Sequence, residues 1–492
     1  MKCKEGSAVL IIRVGDAFCG DCFKEYFVHK FRAMLGKNRL IFPGEKVLLS
    51  VSGGPASSAL LSQVQEGLSP ETPKKLRFVP GIIYVDEGAA CGQSLEERGE
   101  IKSQLETIFR ASGFPFYVVH LEAVFSLPSS VLQCTSSALD KQNESHKEAV
   151  DGFIQSACSG THRETGHGSN SYTEVQTLLS ELSTQEWSGE GSTVTNKSPP
   201  FTPEQTEAVR TLLASVKTLT AREELLKTLR LHLILHTARV RGYSKVMMGD
   251  SCSRLAVKLL TNISLGRGAF LAMDTGFSDP RYGDIAIVRP MREYSSKEIA
   301  FYNRMFKVPS VFTSALDTKA PEKASIHHLT ESFISKLQAD FPSTVSTIYR
   351  TSEKLNTACP RPIADGELTE KCLLCLCALD TGAEEATAFH ATLISENLSR
   401  NRMPATIPAL GVAKQQCCAS GGEQKESCGD RVAGCVWGQG GWLSLSGQTS
   451  VNSVPEYILS EAERRKRRAQ MKQEIQDFLL NPENDAGEMT VS

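Results

Sequence analysis

The residues with the clearest chemical potential form a turn rich in glycine and serine at positions 52–58. An apolar run precedes this turn and apolar residues at helical spacing follow it. Glycines let backbone N–H groups turn inward without a Cβ clash, and a helix N-terminus favours an anion. The pattern predicts a loop for phosphate or a nucleotide, formed by Ser52, Gly53, Gly54, Ser57 and Ser58. No Gly-Lys-Ser/Thr follows, so it is not a Walker loop; an ordinary Gly-Pro turn is the alternative.

Two groups of cysteines have the spacing of metal ligands. Cys19 and Cys22 form Cys-x2-Cys with Cys3 upstream, which predicts three ligands of a zinc site. A further residue or water would complete this site, or zinc is not bound. Cys372, Cys375 and Cys377 form a second cluster, Cys-x2-Cys-x-Cys, in which Cys372 and Cys375 are the predicted ligands. A zinc ribbon needs another pair, and Cys-x2-Cys does not occur among the later candidates Cys417, Cys418, Cys428 and Cys435. The total of 15 cysteines is odd and no signal peptide is evident, which favours thiols or metal ligands over disulfides.

Basic residues concentrate in the predicted helix that follows Cys22. Only one acid, Glu25, accompanies Lys24, Lys30, Arg32, Lys37 and Arg39. Four ring side chains lie among them: Tyr26, Phe27, His29 and Phe31. Such a stripe can follow a phosphate backbone and stack on bases, which predicts an RNA-binding helix. A solvated helix face is the alternative.

A second basic run, at 464–468, lies in the last predicted helix. A capping-box pattern at 460–463 predicts where this helix begins, and an apolar stripe follows at Met471, Ile475, Phe478 and Leu479. Acids flank the run on both sides. We therefore interpret it first as a solvated helix or partner surface, and second as an RNA-binding arm.

The composition of the whole chain excludes some classes of function. The 492 residues include 54 Lys+Arg and 56 Asp+Glu, so the net charge is −2 and any nucleic-acid surface must be local. The longest apolar runs, at 9–12 and 47–51, are far below the roughly 18 residues of a spanning helix. We therefore expect no membrane segment.

The order of predicted elements indicates an α/β fold. Apolar strands at 47–51, 79–85 and 116–119 alternate with helices, which predicts a doubly wound parallel sheet. A Ser-, Thr- and Gly-rich stretch interrupts the alternation and is expected to be a disordered insertion. We divide the chain into six segments. They are a Cys-rich knuckle with its basic helix (1–43), the first half of the α/β domain (44–133), the insertion (134–203), the second half of the α/β domain (204–357), a Cys-rich region (358–447), and a final helix with its tail (448–492).

Several motifs resemble those of one family. The 52–58 loop resembles the Ser-Gly-Gly-x-Asp-Ser loop of the ATP pyrophosphatases that adenylate tRNA bases. The wider chain resembles the second-subunit family of cytoplasmic tRNA 2-thiolation complexes (cytosolic thiouridylase subunit 2). The similarity runs through the motifs at 15–19, 29–36, 85–88, 249–252 and 289–292. It implies an adenine-nucleotide alpha-hydrolase-like fold with small Cys-rich modules at both ends.

The resemblance also implies a reaction and its components. This family takes part in ATP-Mg-dependent activation of C2 of the wobble uridine in tRNAs for Lys, Glu and Gln. Sulfur from a thiocarboxylated, ubiquitin-related carrier then replaces the oxygen, which yields mcm5s2U in the cytoplasm. The implied partners are a catalytic thiouridylase subunit 1, tRNA and the carrier. The family has Cys-x-x-Cys at both ends, so a fourth thiol is expected immediately before Met1.

Departures from the family pattern predict the role of the chain. Ala56 stands where the usual loop has Asp, and neither 219–223 nor 309–321 contains the cysteine of active relatives. Cys252 is the remaining thiol near a helix N-terminus, and we favour a packed, half-buried role for it. We therefore assign no catalytic residue and predict a catalytically degenerate partner subunit that binds tRNA. The alternatives are a self-sufficient ATP-dependent adenylating enzyme and a scaffold that does not bind RNA.

Overall fold

The computed structural model describes residues 3, 6–12, 16–72, 75–133, 201–265, 267–316, 318, 320–321, 323–355, 372–377 and 454–476. In that part of the chain, no helix combines the length and apolar character needed to cross a membrane. The division into six segments proposed above stays a prediction.

Short strands and longer helices alternate along the described chain. The strands are β1 (Leu10–Ile11), β2 (Ala17–Phe18), β3 (Lys46–Ser50), β4 (Val79–Asp86), β5 (Phe116–His120), β6 (Lys245–Met248), β7 (Ser278–Tyr282) and β8 (Ile285–Val288). The helices are α1 (Gly20–Asn38), α2 (Pro55–Leu68), α3 (Leu95–Ser112), α4 (Pro203–Ser215), α5 (Leu219–Val240), α6 (Cys252–Ser264), α7 (Leu271–Thr275), α8 (Ser296–Met305), α9 (Ile326–Asp340), α10 (Pro342–Thr351) and α11 (Glu456–Gln476).

Strands β3 to β8 form one six-stranded sheet in the order β5-β4-β3-β6-β8-β7. All neighbours are parallel except β7, which pairs antiparallel with β8 at one edge. The predicted doubly wound α/β sheet is confirmed, with this edge strand as a correction. The sequence pattern missed β7 because its residues Asp279, Pro280 and Arg281 break any apolar run, and proline is tolerated at a sheet edge.

The two faces of the sheet pack into two separate hydrophobic clusters. Leu48 and Val246 point into one cluster, which α4, α5 and α11 complete. Leu49 and Met247 point into the other, which α1, α2, α3 and α8 complete. Because side chains alternate along a strand, apolar residues at successive positions require helices on both faces.

Helix α11 and the described Cys-rich turn pack together against α5. His232 of α5 is fully buried. Its Nε2–H donates to the Leu374 carbonyl at 3.0 Å, and its Nδ1 hydrogen-bonds the Tyr457 hydroxyl at 2.7 Å. The predicted capping box is wrong, since α11 begins at Glu456 and Ser460 lies inside it. Glu461 is buried and accepts hydrogen bonds from Arg464, a role that a local sequence pattern cannot reveal.

Candidate functional site

The glycine turn lies at the carboxyl end of β3, where ligands bind in open α/β sheets. Gly53 has a φ of +83°, and a Cβ there would lie 2.8 Å from Leu105 Cδ2. Val311 of the segment after α8 also approaches, and its N–H donates to the Gly53 carbonyl at 2.9 Å. Conformation and packing together require glycine at this position.

Two serine hydroxyls of the turn hydrogen-bond to backbone carbonyls of the turn. Ser57 Oγ donates to the Gly54 carbonyl at 3.0 Å, and Ser58 Oγ donates to the Gly53 carbonyl at 3.1 Å. Ser52 is exposed, with its Oγ 3.3 Å from Ser57 Oγ. The sequence suggested all three hydroxyls as donors to a ligand, whereas the two helix serines stabilise the bend.

The loop after β6 packs directly on the turn. A Cβ at Gly249 would lie 3.0 Å from the Ala56 carbonyl oxygen, so the two loops touch at Ala56. The next residue, Asp250, has its Oδ2 3.3 Å from Arg289 Nε. Burial opposes ionisation of Asp250, but Arg289 with Lys258 and Arg254 lowers its pKa overall. A carboxylate therefore lies near the turn, already neutralised by an arginine.

Paired charges surround the same edge of the sheet. Arg230 of α5 forms an ion pair with Glu87, which follows β4, and its Nη2 lies 3.0 Å from Glu87 Oε2. Glu224 joins Lys227 at 2.8 Å and Arg267 at 2.7 Å. These acids neutralise part of the positive charge at this edge of the sheet.

The described cysteines near this edge have separate surroundings. Cys252 is 5% exposed at the first turn of α6, and burial raises the pKa of its thiol to about 11. The prediction of a packed role for Cys252 is therefore confirmed. Cys91, which the sequence reading missed, belongs to the loop after β4 and donates to the Ser314 carbonyl at 3.3 Å. The environment of Cys252 does not favour a reactive thiolate.

The first cysteine group converges as its spacing predicted. The sulfur atoms of Cys3, Cys19 and Cys22 all lie within 4.8 Å of one another. Cys19 caps α1 and its Sγ accepts from the Cys22 N–H, so the helix start fixes two of the three thiols. Hydrogen bonds with Cys3 and Cys19 raise the pKa of Cys22 to about 11, and a bound cation would reverse this effect. Three thiols are a suitable donor set for a soft metal ion such as zinc.

The second cysteine group forms a tight turn against the core. Cys372 is buried and its N–H donates to the Cys377 carbonyl at 2.8 Å, while Cys375 is half-buried. Cys377 Sγ accepts from Arg281 Nη1 at 2.8 Å. Among the described residues, this group does not form a cluster of three convergent metal ligands. A zinc site at Cys372 and Cys375 stays a prediction, because all later candidate cysteines lie outside the described residues.

The basic helix α1 uses part of its charge internally. Lys30 lies 2.8 Å from Glu298 Oε1 with 12% of its side chain exposed, and it sits over the Tyr294 ring. Lys24 is exposed and forms an ion pair with Glu66 at 3.1 Å. Lys37 and Arg39 are exposed near the helix end.

The aromatic residues of α1 correct the stacking hypothesis. Phe27 and Phe31 are buried in the hydrophobic cluster, and Phe27 stacks on Tyr302 at 4.1 Å between ring centroids. Arg32 is half-buried and His29 is exposed. The rings read as base-stacking groups are thus mainly core residues at helical spacing.

The motif at 85–88 holds a buried charge network that sequence reasoning missed. Arg98 of α3 donates to Asp86 at 2.8 Å and to both Glu122 oxygens at 2.6 and 2.9 Å. His120 Nδ1 lies 3.0 Å from Asp86, and the Phe201 ring covers Arg98 at 4.4 Å. Residues far apart in sequence meet here, so no local pattern identifies the network.

Comparisons with known proteins agree with the motif analysis. A family model described as cytoplasmic tRNA 2-thiolation protein 2 matches residues 325–435. The protein of that name from Danio rerio is 54% identical over 99% of this chain and 95% of its own length. The Homo sapiens protein is 52% identical over 99% of this chain and 94% of its own length.

A solved structure, the U34-tRNA thiolase NcsA from Methanococcus maripaludis, is 13% identical, with a TM-score of 0.42. The match covers 70% of this chain and 85% of that one. On the identity it shares with the Danio rerio and Homo sapiens proteins over nearly its full length, the chain belongs to the cytoplasmic tRNA 2-thiolation protein 2 family.

Proposed function

We propose that the chain is the non-catalytic, tRNA-binding subunit of the cytoplasmic complex that 2-thiolates the wobble uridine of tRNAs for Lys, Glu and Gln. The names of its relatives support the reaction, and the proposed sulfur source is a thiocarboxylated, ubiquitin-related carrier. A catalytic thiouridylase subunit would supply the chemistry as the partner in a heterodimer.

The state of the thiols at the carboxyl edge of the sheet carries this proposal. Sulfur transfer needs an accessible thiolate or a set of cluster ligands. Cys252 is buried with a raised pKa, and Cys91 bonds a backbone carbonyl. The cysteines of active relatives are absent from 219–223 and 309–321.

The remaining parts of the site have supporting roles in this proposal. The Ser52–Gly54 backbone with the start of α2 would receive phosphate, while Ser57 and Ser58 hold the bend. ATP-Mg acts at the level of the complex. Zinc at Cys3, Cys19 and Cys22 would brace the start of α1. The tRNA would meet α1 through its exposed cations Lys37 and Arg39, with Lys24 and Arg32 beside them and Lys30 positioning the helix.

Reconstitution tests the proposal directly. The purified chain is incubated with tRNA, ATP-Mg and thiocarboxylated carrier, with and without the catalytic subunit, and 2-thiouridine is measured by mass spectrometry. We expect product only when the catalytic subunit is present. Efficient thiolation, or ATP–pyrophosphate exchange by the chain alone, would instead identify a self-sufficient enzyme. A chain that stimulates its partner without binding tRNA would be a scaffold.

A further inference from the structure

The two basic helices, α1 and α11, differ in how many of their cations form ion pairs. In α1, Lys24 and Lys30 form ion pairs with Glu66 and Glu298, so part of the charge that the sequence displays is neutralised. The basic run at 464–468 in α11 has different contacts.

A buried end anchors α11 to the body of the protein. Tyr457 and Ile458 are 2% and 1% exposed within the hydrophobic cluster. Glu461 is also buried, and it accepts two hydrogen bonds at 2.7 Å from Arg464 and one at 3.2 Å from Arg465. One carboxylate of the same helix thus holds the first two arginines of the run.

The following turn of α11 carries two exposed arginines. Arg467 and Arg468 are exposed, and neither forms an ion pair or hydrogen bond with another residue that the structure describes. The helix continues to Gln476, so at 1.5 Å per residue the part beyond Glu461 is about 22 Å long. Met471 and Ile475 are 59% and 45% exposed on it.

We infer that Arg467 and Arg468 of α11 bind the phosphate backbone of tRNA. This inference rests on the proposed function and adds a second contact surface to it. Guanidinium groups match phosphate oxygens in a bidentate geometry, and each phosphate neutralised releases condensed counterions. Every side chain at 464–468 is a cation, and the exposed apolar residues Met471 and Ile475 lie further along the helix, outside this run. Charge complementarity therefore favours RNA as the ligand of Arg467 and Arg468.

A salt series on the full-length chain tests the inference. Filter binding measures the affinity for tRNA transcript in wild type and in the double variant R467A/R468A. We expect about tenfold weaker binding of the variant at low salt, and a slope of log K against log salt that is smaller by about 1.4 to 1.8. The variant R467K/R468K keeps the charges and should retain most of the slope.

A matched control removes two other exposed cations. R210A/K217A changes the net charge equally at α4 and the loop after it, and should leave the slope near that of wild type. An unchanged slope in R467A/R468A, with normal wild-type binding, overturns this inference alone. Absence of tRNA binding by wild type overturns the proposed function with it. If R467A/R468A keeps the tRNA slope but no longer co-purifies with the catalytic subunit, α11 is a protein-binding surface and the inference is wrong.

Discussion

At the residue scale, Gly53 and the first three cysteines each have a local role that depends on the residue type. Gly53 is needed for its left-handed backbone and for the space that Leu105 occupies. Cys19 both caps α1 and faces two other thiols. The spacing of the cysteines already predicted that they meet, whereas the contact between Gly53 and Leu105 was not readable in the sequence.

We expect Gly53→Ala to destabilise the protein by about 1 to 3 kcal/mol, because alanine is strained at a φ of +83° and its methyl would collide with Leu105. Gly54→Ala is the control: its φ is −69°, and only Ser52 Oγ, at 3.6 Å, lies near the new methyl. Urea denaturation should give a loss below about 1 kcal/mol for this control. Equal losses in both variants would show that Gly53 has no special constraint.

We expect Cys22→Ser to remove metal from the N-terminal site, since only two of its thiols would remain. Zinc per chain, measured by inductively coupled plasma mass spectrometry, should fall by about one equivalent relative to wild type. Cys91→Ser changes a cysteine outside the group and should keep the wild-type value. Equal zinc content in all three proteins would exclude this site.

At the element scale, helices that look similar in sequence differ in their neighbours. Helix α1 buries its phenylalanines and pairs Lys30 internally, whereas α11 leaves the second half of its basic run exposed. Helix α5 carries His232, which joins the Cys-rich turn to α11.

His232 should make stability depend on pH. Burial lowers its pKa to about 4, below the unfolded value of about 6.5. The stabilisation is therefore complete above about pH 6.5 and is lost as the pH falls toward 4, by at most about 1.4 kcal/mol per pH unit. Thermal unfolding from pH 7 to 5 should show a smaller fall in Tm for His232→Gln than for wild type. A parallel fall in both proteins would contradict the assignment.

At the scale of the whole molecule, two halves of the chain form one sheet. β3 lies between β4 from the first half and β6 from the second, so the glycine turn contacts Leu105 of α3 on one side and the loop after β6 on the other. The Arg98 network also connects β4, α3 and the start of α4. Arg98 of α3 bonds to Asp86 and Glu122, and Thr206 Oγ1 of α4 donates to Glu122 at 3.1 Å.

We expect Arg98→Ala to destabilise the protein by about 3 to 5 kcal/mol, because it leaves Asp86 and Glu122 buried without their shared cation. Arg110→Ala, on the same helix, removes an exposed partner of Glu106 and should change the free energy of unfolding by less than about 1 kcal/mol. Chemical denaturation compares the two variants. A loss for Arg98→Ala no larger than that for Arg110→Ala would mean that the network does not stabilise the fold.

The amino-acid sequence by itself determined the alternation of strands and helices, the glycine turn, the first cysteine group and the family. These features show as residue patterns in the chain, such as the apolar run of β3, the Cys-x2-Cys at the start of α1 or the order of the family motifs. Only the tertiary structure decided which charges are available, because Lys30 meets Glu298 and Arg98 meets Glu122 across long stretches of sequence. The polar edge strand β7 and the burial of Phe27 likewise follow from neighbours that no local pattern specifies.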